Sequence, residues 1–234
     1  LLILNVLPGS GLLQNLDYEF GSFSGWFTYD NVSCSPNCNY MIVSNEQANN
    51  GIYSAYFVYN KSITSGGSRL MSFQQPLGTC ATNCNNTFHR FYLRLKSENL
   101  SNGQIMELGG IKRGGPNAGP PGGPRGFIFI RQLSSVLYFG VFYTSDQSTT
   151  NPIVSNMRMD LNKWYCVEVN YYKSSTPNSG RIRAWVGDTL ILNRTIDNNG
   201  LGNNNPDTIF NGVALHIAQS RNPNLDTSWF VDSN

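Results

Sequence analysis

Short apolar and aromatic runs recur along this chain between clusters of Gly, Asn, Ser and Pro, and no stretch of twelve residues sustains a helical period. That alternation constrains the fold more than any other feature. Runs of this length, rich in β-branched and aromatic residues and bounded by turn formers, read as strands rather than helices. The segments so read are Ile52–Val58, Arg69–Phe73, Phe88–Lys96, Gln104–Leu108, Gly126–Arg131, Val136–Tyr143, Trp164–Tyr172, Arg181–Val186, Thr189–Ile196, Gly212–Ala218 and Ser228–Val231. Several alternate with period two, as where Phe91, Leu93 and Leu95 oppose Arg90, Tyr92, Arg94 and Lys96. Many short strands with a turn signal every 8–12 residues or so predict an all-β sandwich or barrel with negligible helix.

Charge narrows the function. Charged residues make up 13% of the 234, about half the usual ~25%, and the formal net charge is +2. Scarce Lys and Glu argue against a helical bundle or coiled coil, and 12% aromatic residues argue against disorder. No nucleic-acid partner is expected, because such a partner needs a basic excess on one face. No apolar run reaches the roughly eighteen residues of a membrane span. The length suits one sandwich with a substantial core.

Residues 1–11 stand apart from a single domain read over residues 12–234. Leu1, Leu2, Ile3, Leu4, Val6 and Leu7 form an apolar run, and Pro8-Gly9-Ser10-Gly11 follows as a flexible break. Three readings are open: the tail of a signal segment, a first strand of the domain, or a detachable strand. With no initiator Met and no charged segment ahead of this run, exported and processed material is expected.

Cysteine usage points to the same compartment. Cys34-Ser35-Pro36-Asn37-Cys38 and Cys80-Ala81-Thr82-Asn83-Cys84 are two C-x3-C pairs whose turn formers bring thiols close. Disulfides are expected in a secreted chain of this composition, either local or joining the two loops; four-thiolate zinc ligation is the rival. Cys166 is read as a small buried hydrophobe. N-x-Ser/Thr sequons stand at Asn31, Asn60, Asn85, Asn99 and Asn193, a number the composition alone would produce.

The segment from Trp164 to Val186 reads as a hairpin across the loop 173–180. If Tyr172 faces Arg181, then Asn170 faces Arg183 and Glu168 faces Trp185, all on one face. Tyr165, Val167, Val169 and Tyr171 then pack inward with Ile182, Ala184 and Val186. The run Trp164-Tyr165-Cys166-Val167-Glu168-Val169-Asn170, then Gly180 and Arg181-Ile182-Arg183-Ala184-Trp185-Val186-Gly187-Asp188, resembles concanavalin-like or laminin-G-like modules. In that pattern Val186-Gly187-Asp188 stands where W-V-D-G is common, with the turn residues swapped. Asn15–Gly21, Gly25-Trp26, Gly51–Phe57 and Trp229–Asp232 resemble other strands of the same modules. The resemblance implies an antiparallel jelly-roll β-sandwich over residues 15–234. It implies little about activity, since lectins, lyases, hydrolases and structural proteins share the fold.

Three classes of chemistry make distinct demands on the side chains present. A retaining hydrolase needs two carboxylates flanking one bond, yet Glu19, Glu46, Glu98, Glu107 and Glu168 are scattered singly. A polysaccharide lyase needs a base and a group neutralising a uronate carboxylate; Tyr92, Arg94 and His216 are the residues of that kind, without the R-x-E-x-R and Q-I-H lyase motifs. A glycan-binding face needs aromatic platforms beside amide and guanidinium donors, which Trp185, Tyr172, Asn170, Arg181 and Arg183 supply. No cofactor is implied; Asp197, Asn199 and Asp207 are a weak calcium set, a string that Asn/Gly turns also produce without metal.

The apolar N-terminal strand resembles the donor strands of pilins and surface-fibre subunits, in which a strand completes a neighbour's sheet. A head-to-tail contact of that kind yields filaments when it does not close. The favoured expectation is therefore a non-enzymatic extracellular or cell-surface subunit polymerising with copies of itself. A polysaccharide-binding module is second, and a polysaccharide lyase third.

Overall fold

The computed structural model describes residues 18–19, 21–22, 27–30, 40–59, 71–76, 86–112, 125–144, 153–172, 179–196, 208–213 and 227–232. They contain no helix, and hence none long and apolar enough to cross a membrane. The strands are β1 (Phe27–Asp30), β2 (Tyr40–Ser44), β3 (Ser54–Tyr59), β4 (Met71–Pro76), β5 (Asn86–Ser97), β6 (Ile105–Lys112) and β7 (Arg125–Leu133). They continue with β8 (Val136–Thr144), β9 (Ile153–Met159), β10 (Trp164–Tyr172), β11 (Gly180–Val186), β12 (Thr189–Ile196), β13 (Thr208–Val213) and β14 (Thr227–Asp232).

Two seven-stranded sheets form, in the orders β1-β4-β13-β6-β7-β8-β9 and β12-β11-β10-β5-β14-β3-β2, and the pairings in both are antiparallel. This is the expected jelly-roll sandwich. The chain leaves the second sheet after β5, builds β6 to β9 in the first and returns with β10, so β5 and β10 lie side by side although far apart in sequence.

The alternation along β5, β10 and β11 is what splits inside from outside. Phe91, Leu93, Leu95, Val167, Val169, Tyr171, Ile182, Ala184 and Val186 are buried in the core. They meet Met106, Leu108, Ile128, Ile130, Phe139 and Val141 from the other sheet. Phe57 stacks on Trp229 with centroids 5.1 Å apart, and Tyr165 meets Phe139 edge-on across the sandwich at 5.1 Å. Packed aromatics of this kind contribute about 0.5–1.5 kcal/mol per pair beyond the area they bury.

His89 belongs to this core. It is 4% exposed, tilts on Phe91 at 4.9 Å and has the Gly110 backbone as its hydrogen-bond partner. That position, enclosed among core side chains, makes it a structural histidine. Cys166 differs from expectation. It is half-buried on the outer face, because its neighbours Tyr165 and Val167 take the inward positions.

Two hairpins show how turn chemistry sets register. Between β11 and β12, only the first turn residue, Gly187, has positive φ (57°). That is the demand of a type II′ turn, which wants Gly first, and it accounts for Gly187 preceding Asp188. Between β7 and β8, Ser134 and Ser135 both have positive φ, at 48° and 67°. A type I′ turn requires this, and Asn-Gly meets it with less strain than Ser-Ser. The double change Ser134→Asn/Ser135→Gly is therefore expected to stabilise the fold by about 1 kcal/mol. Thermal melting should show it as a rise of roughly 2–4 °C.

The segment between β2 and β3 is pinned by two carboxylates. Asp232 Oδ2 accepts from the Asn49 and Asn50 amides at 2.9 and 3.1 Å. Glu19 accepts from the Ile52 and Tyr53 amides at 2.8 and 3.2 Å. Gly51 turns between them at φ +82°, and a Cβ there would stand 2.2 Å from Glu19 Oε1. Ser54 adds a hydroxyl bond to the Gln47 carbonyl.

Candidate functional site

The outer face of the β12-β11-β10-β5-β14-β3-β2 sheet carries the polar and aromatic side chains that the alternation leaves outside. The hairpin register is the expected one: Tyr172 opposes Arg181, Asn170 opposes Arg183 and Glu168 opposes Trp185. The pairing of β10 with β5 extends each row by one strand. Asn170 opposes Phe88, Glu168 opposes Arg90, Cys166 opposes Tyr92 and Trp164 opposes Arg94. Tyr92 and Arg94, expected as part of a lyase centre, thus share one face with the residues expected to bind glycan.

Asn170 departs from the role expected of it. Its side chain is 0% exposed and so does not meet a ligand directly. Its Oδ1 accepts from Arg183 Nε and Nη2 at 3.2 and 3.0 Å, and its Nδ2 donates to Asn86 Oδ1 at 2.6 Å. Arg183 is thereby held over the Trp185 ring, with its Cζ 5.4 Å from the centroid. Five N–H donors belong to a guanidinium, so an arginine chelated at Nε and Nη2 keeps three for a ligand. Asn170 is a positioning residue that sets the orientation of Arg183.

Around that pair stand Trp185, half-buried, with Tyr172 39% and Phe88 52% exposed. Phe88 is not among the residues that the sequence predicts for a site. Phe88 has the same strand parity as Arg90 and Tyr92, which points it outward, but only the β5–β10 register places it beside Asn170.

The charges sort into paired and unpaired. Arg90 binds Glu168 at 2.6 Å and Lys96 binds Glu46 at 2.6 Å. Lys96 also caps the Tyr56 ring at 5.2 Å, and that ring stacks on Phe230 at 4.5 Å. Among the described residues, Arg94, Arg181 and Arg183 have no carboxylate at ion-pair distance. Arg94 donates from Nε to the Asn162 carbonyl at 3.1 Å and lies 5.9 Å from the Phe230 centroid.

Tyr92 is poorly set up as a base. Burial pushes its phenol up, and the neighbouring Cys166 adds to the rise while Arg90 opposes it. The phenol donates to the Cys166 sulfur, whose own thiol is raised chiefly by burial. Both groups keep their protons at neutral pH, and Tyr92 is a proton donor rather than an acceptor there.

Other expected site residues lie outside the described residues: His216; Leu1, Leu2, Ile3, Leu4, Val6 and Leu7; Cys34, Cys38, Cys80 and Cys84; Asp197, Asn199 and Asp207; and the sequons at Asn31, Asn60 and Asn85. Among the described residues, no three His, Cys, Asp or Glu side chains stand together as a metal site. Of the two described sequons, Asn99 is enclosed at 3% exposure, whereas Asn193 is exposed on β12.

Among solved structures, the fold is similar to endo-β-1,4-glucuronan lyase from the fungus Trichoderma reesei. Identity is 12% and the TM-score 0.59, over 91% of this chain and 90% of that one. It is also similar to alginate lyase vAL-1 from Chlorella virus, with 11% identity and a TM-score of 0.56 over 95% and 97% of the two chains. The cellulose-induced protein Cip1 matches at 14% identity and a TM-score of 0.53, over 93% and 96%. The likeness is one of fold. No protein-family model matches the chain, and no curated protein sequence does.

Proposed function

We propose that this protein binds an acidic polysaccharide on the outer face of the sheet that contains β5, β10 and β11. One observation carries the reading: three guanidinium groups with no carboxylate at ion-pair distance among the described residues, Arg94, Arg181 and Arg183, share that face with Trp185, Tyr172 and Phe88. Aromatic rings offer flat apolar surfaces to the C–H faces of sugars, and arginine forks match carboxylates. Uronate polymers present both features along one chain. The similarity of fold to lyases named for glucuronan and alginate supports the same ligand class.

Binding is favoured over elimination because burial and the neighbouring Cys166 keep the Tyr92 phenol protonated, so that it does not serve as the base. The filament expectation rests on Leu1–Leu7 and gains nothing from the described sheets.

Calorimetry or biolayer interferometry with alginate and glucuronan oligosaccharides tests the proposal. Trp185→Ala and Arg183→Ala are each expected to weaken binding about tenfold or more, the range of buried aromatic and Arg anchors. Arg183→Ala should also flatten the salt dependence. Wild-type affinity surviving both changes would overturn the reading. Release of unsaturated uronate, seen by ultraviolet absorbance and lost in Tyr92→Phe, would replace it with lyase chemistry.

A further inference from the structure

The edge strand β12 brings a second carbohydrate question to the same face. In its sequon, Asn193-Arg194-Thr195, the register sets Asn193 opposite Arg183 and Thr195 opposite Arg181. Antiparallel partners point the same way, with Cβ atoms about 4.5–5.5 Å apart. Asn193 and Thr195 are both exposed, while Leu192 turns inward at 5%. The acceptor amide and the hydroxyl needed for N-glycosylation are therefore displayed together, one strand's width from the Arg181 and Arg183 guanidiniums.

We propose that Asn193 is glycosylated and that its glycan lies over the Arg181–Arg183–Trp185 surface, masking it from polysaccharide. The ligand-binding half of this inference rests on the function proposed above; the placement of the glycan does not. The innermost sugar is joined to Nδ2 of a side chain rooted beside Arg183, so the following residues of the glycan reach Trp185 without any change in the sheet. Sugar C–H faces can stack on the Trp185 ring, and hydroxyls can accept from the donors that Arg183 retains after chelation by Asn170. A tethered ligand of this kind competes at high effective concentration. The contrast within the chain is Asn99, which is enclosed at 3% exposure and whose backbone N–H donates to Thr227 Oγ1 at 2.8 Å. Asn99 is expected to stay bare.

The full chain, secreted from eukaryotic cells, is compared with Asn193→Gln and with Thr195→Ala, each of which removes the sequon. Peptide mass spectrometry should find a glycan at Asn193 and none at Asn99. Acrylamide quenching of tryptophan fluorescence should be about twofold stronger in Asn193→Gln than in the glycosylated chain. That difference should vanish when Trp185→Phe is added to both. Binding to alginate oligosaccharides should be about tenfold tighter in both sequon variants. An unmodified Asn193, or quenching that is the same with and without the glycan, overturns the inference whatever the binding result. Unequal quenching with no binding in any form overturns the polysaccharide reading of the face and leaves the glycan where it is placed here.

Discussion

Asp232→Ala is expected to lower the unfolding free energy by about 3 kcal/mol, one of the two largest effects foreseen for a single change in this chain. Asp232 is 0% exposed at the end of β14, and one of its oxygens accepts from both the Asn49 and Asn50 amides. Hydrogen bonds to an ionised group contribute about 1.5–3 kcal/mol each, and removing the acceptor strands the donors without their partner. Asp232→Asn retains a carbonyl acceptor but not the charge, so it should cost about half as much. Urea denaturation orders the three proteins, wild type above Asn above Ala. Because Glu19 holds the far side of the same segment through Ile52 and Tyr53, limited proteolysis of Asp232→Ala should begin within residues 45–53. Equal denaturation midpoints for wild type and Ala would mean that water replaces the carboxylate at no cost.

How far this architecture could be read in advance depended on where the information lay. Strands with strict alternation and marked ends were legible: β10 and β12 have the expected bounds, and β5 differs only by its extension to Asn86 and Ser97. β9 is not among the strands that the sequence pattern predicts. Ile153-Val154-Ser155-Asn156-Met157-Arg158-Met159 breaks its alternation at Val154, and Met favours no one conformation. β1 and β2 are four and five residues long and sit among Ser, Asn and Cys, which read as turn. β13 begins at Thr208 rather than Gly212, since Thr208-Ile209-Phe210 comes after the turn formers Asn203-Asn204-Asn205-Pro206-Asp207, which mask its start.

The site divides in the same way. The loop between β10 and β11 and its flanking aromatics carried enough local pattern to set the Tyr172–Arg181 register correctly. No local pattern says that β10 also pairs with β5, which lies some seventy residues earlier and holds Phe88, Arg90, Tyr92 and Arg94. Two sets of residues that looked like separate hypotheses, one for binding and one for elimination, are for this reason neighbours on one surface. Asn170 shows the complementary limit. Its outward position was legible, but its burial depends on Asn86, a partner 84 residues away.

The second large effect is acid sensitivity from His89. Burial lowers its pKa from 6.5 to about 4, with the Gly110 backbone hydrogen bond opposing the fall. Above pH 6.5 the ring is neutral in both the folded and the unfolded chain and contributes nothing to the pH dependence. As pH falls from 6.5 toward 4, the unfolded chain takes up a proton that the core refuses, so stability is lost progressively through that window. Each unit of pKa difference corresponds to 1.36 kcal/mol, which makes the total loss about 3 kcal/mol by pH 4. The chain has one other histidine, His216, together with 14 carboxylates that also titrate on the acid side, so the informative quantity is a difference. His89→Gln keeps an amide donor for the Gly110 carbonyl but cannot be protonated. Urea-unfolding free energies of wild type and His89→Gln, measured from pH 7.5 to 4.0, should converge as pH falls, the wild type losing about 3 kcal/mol more than the variant. Two curves that stay parallel across the window would mean that His89 titrates alike in both states, and the ring would then have to reach water in the folded protein.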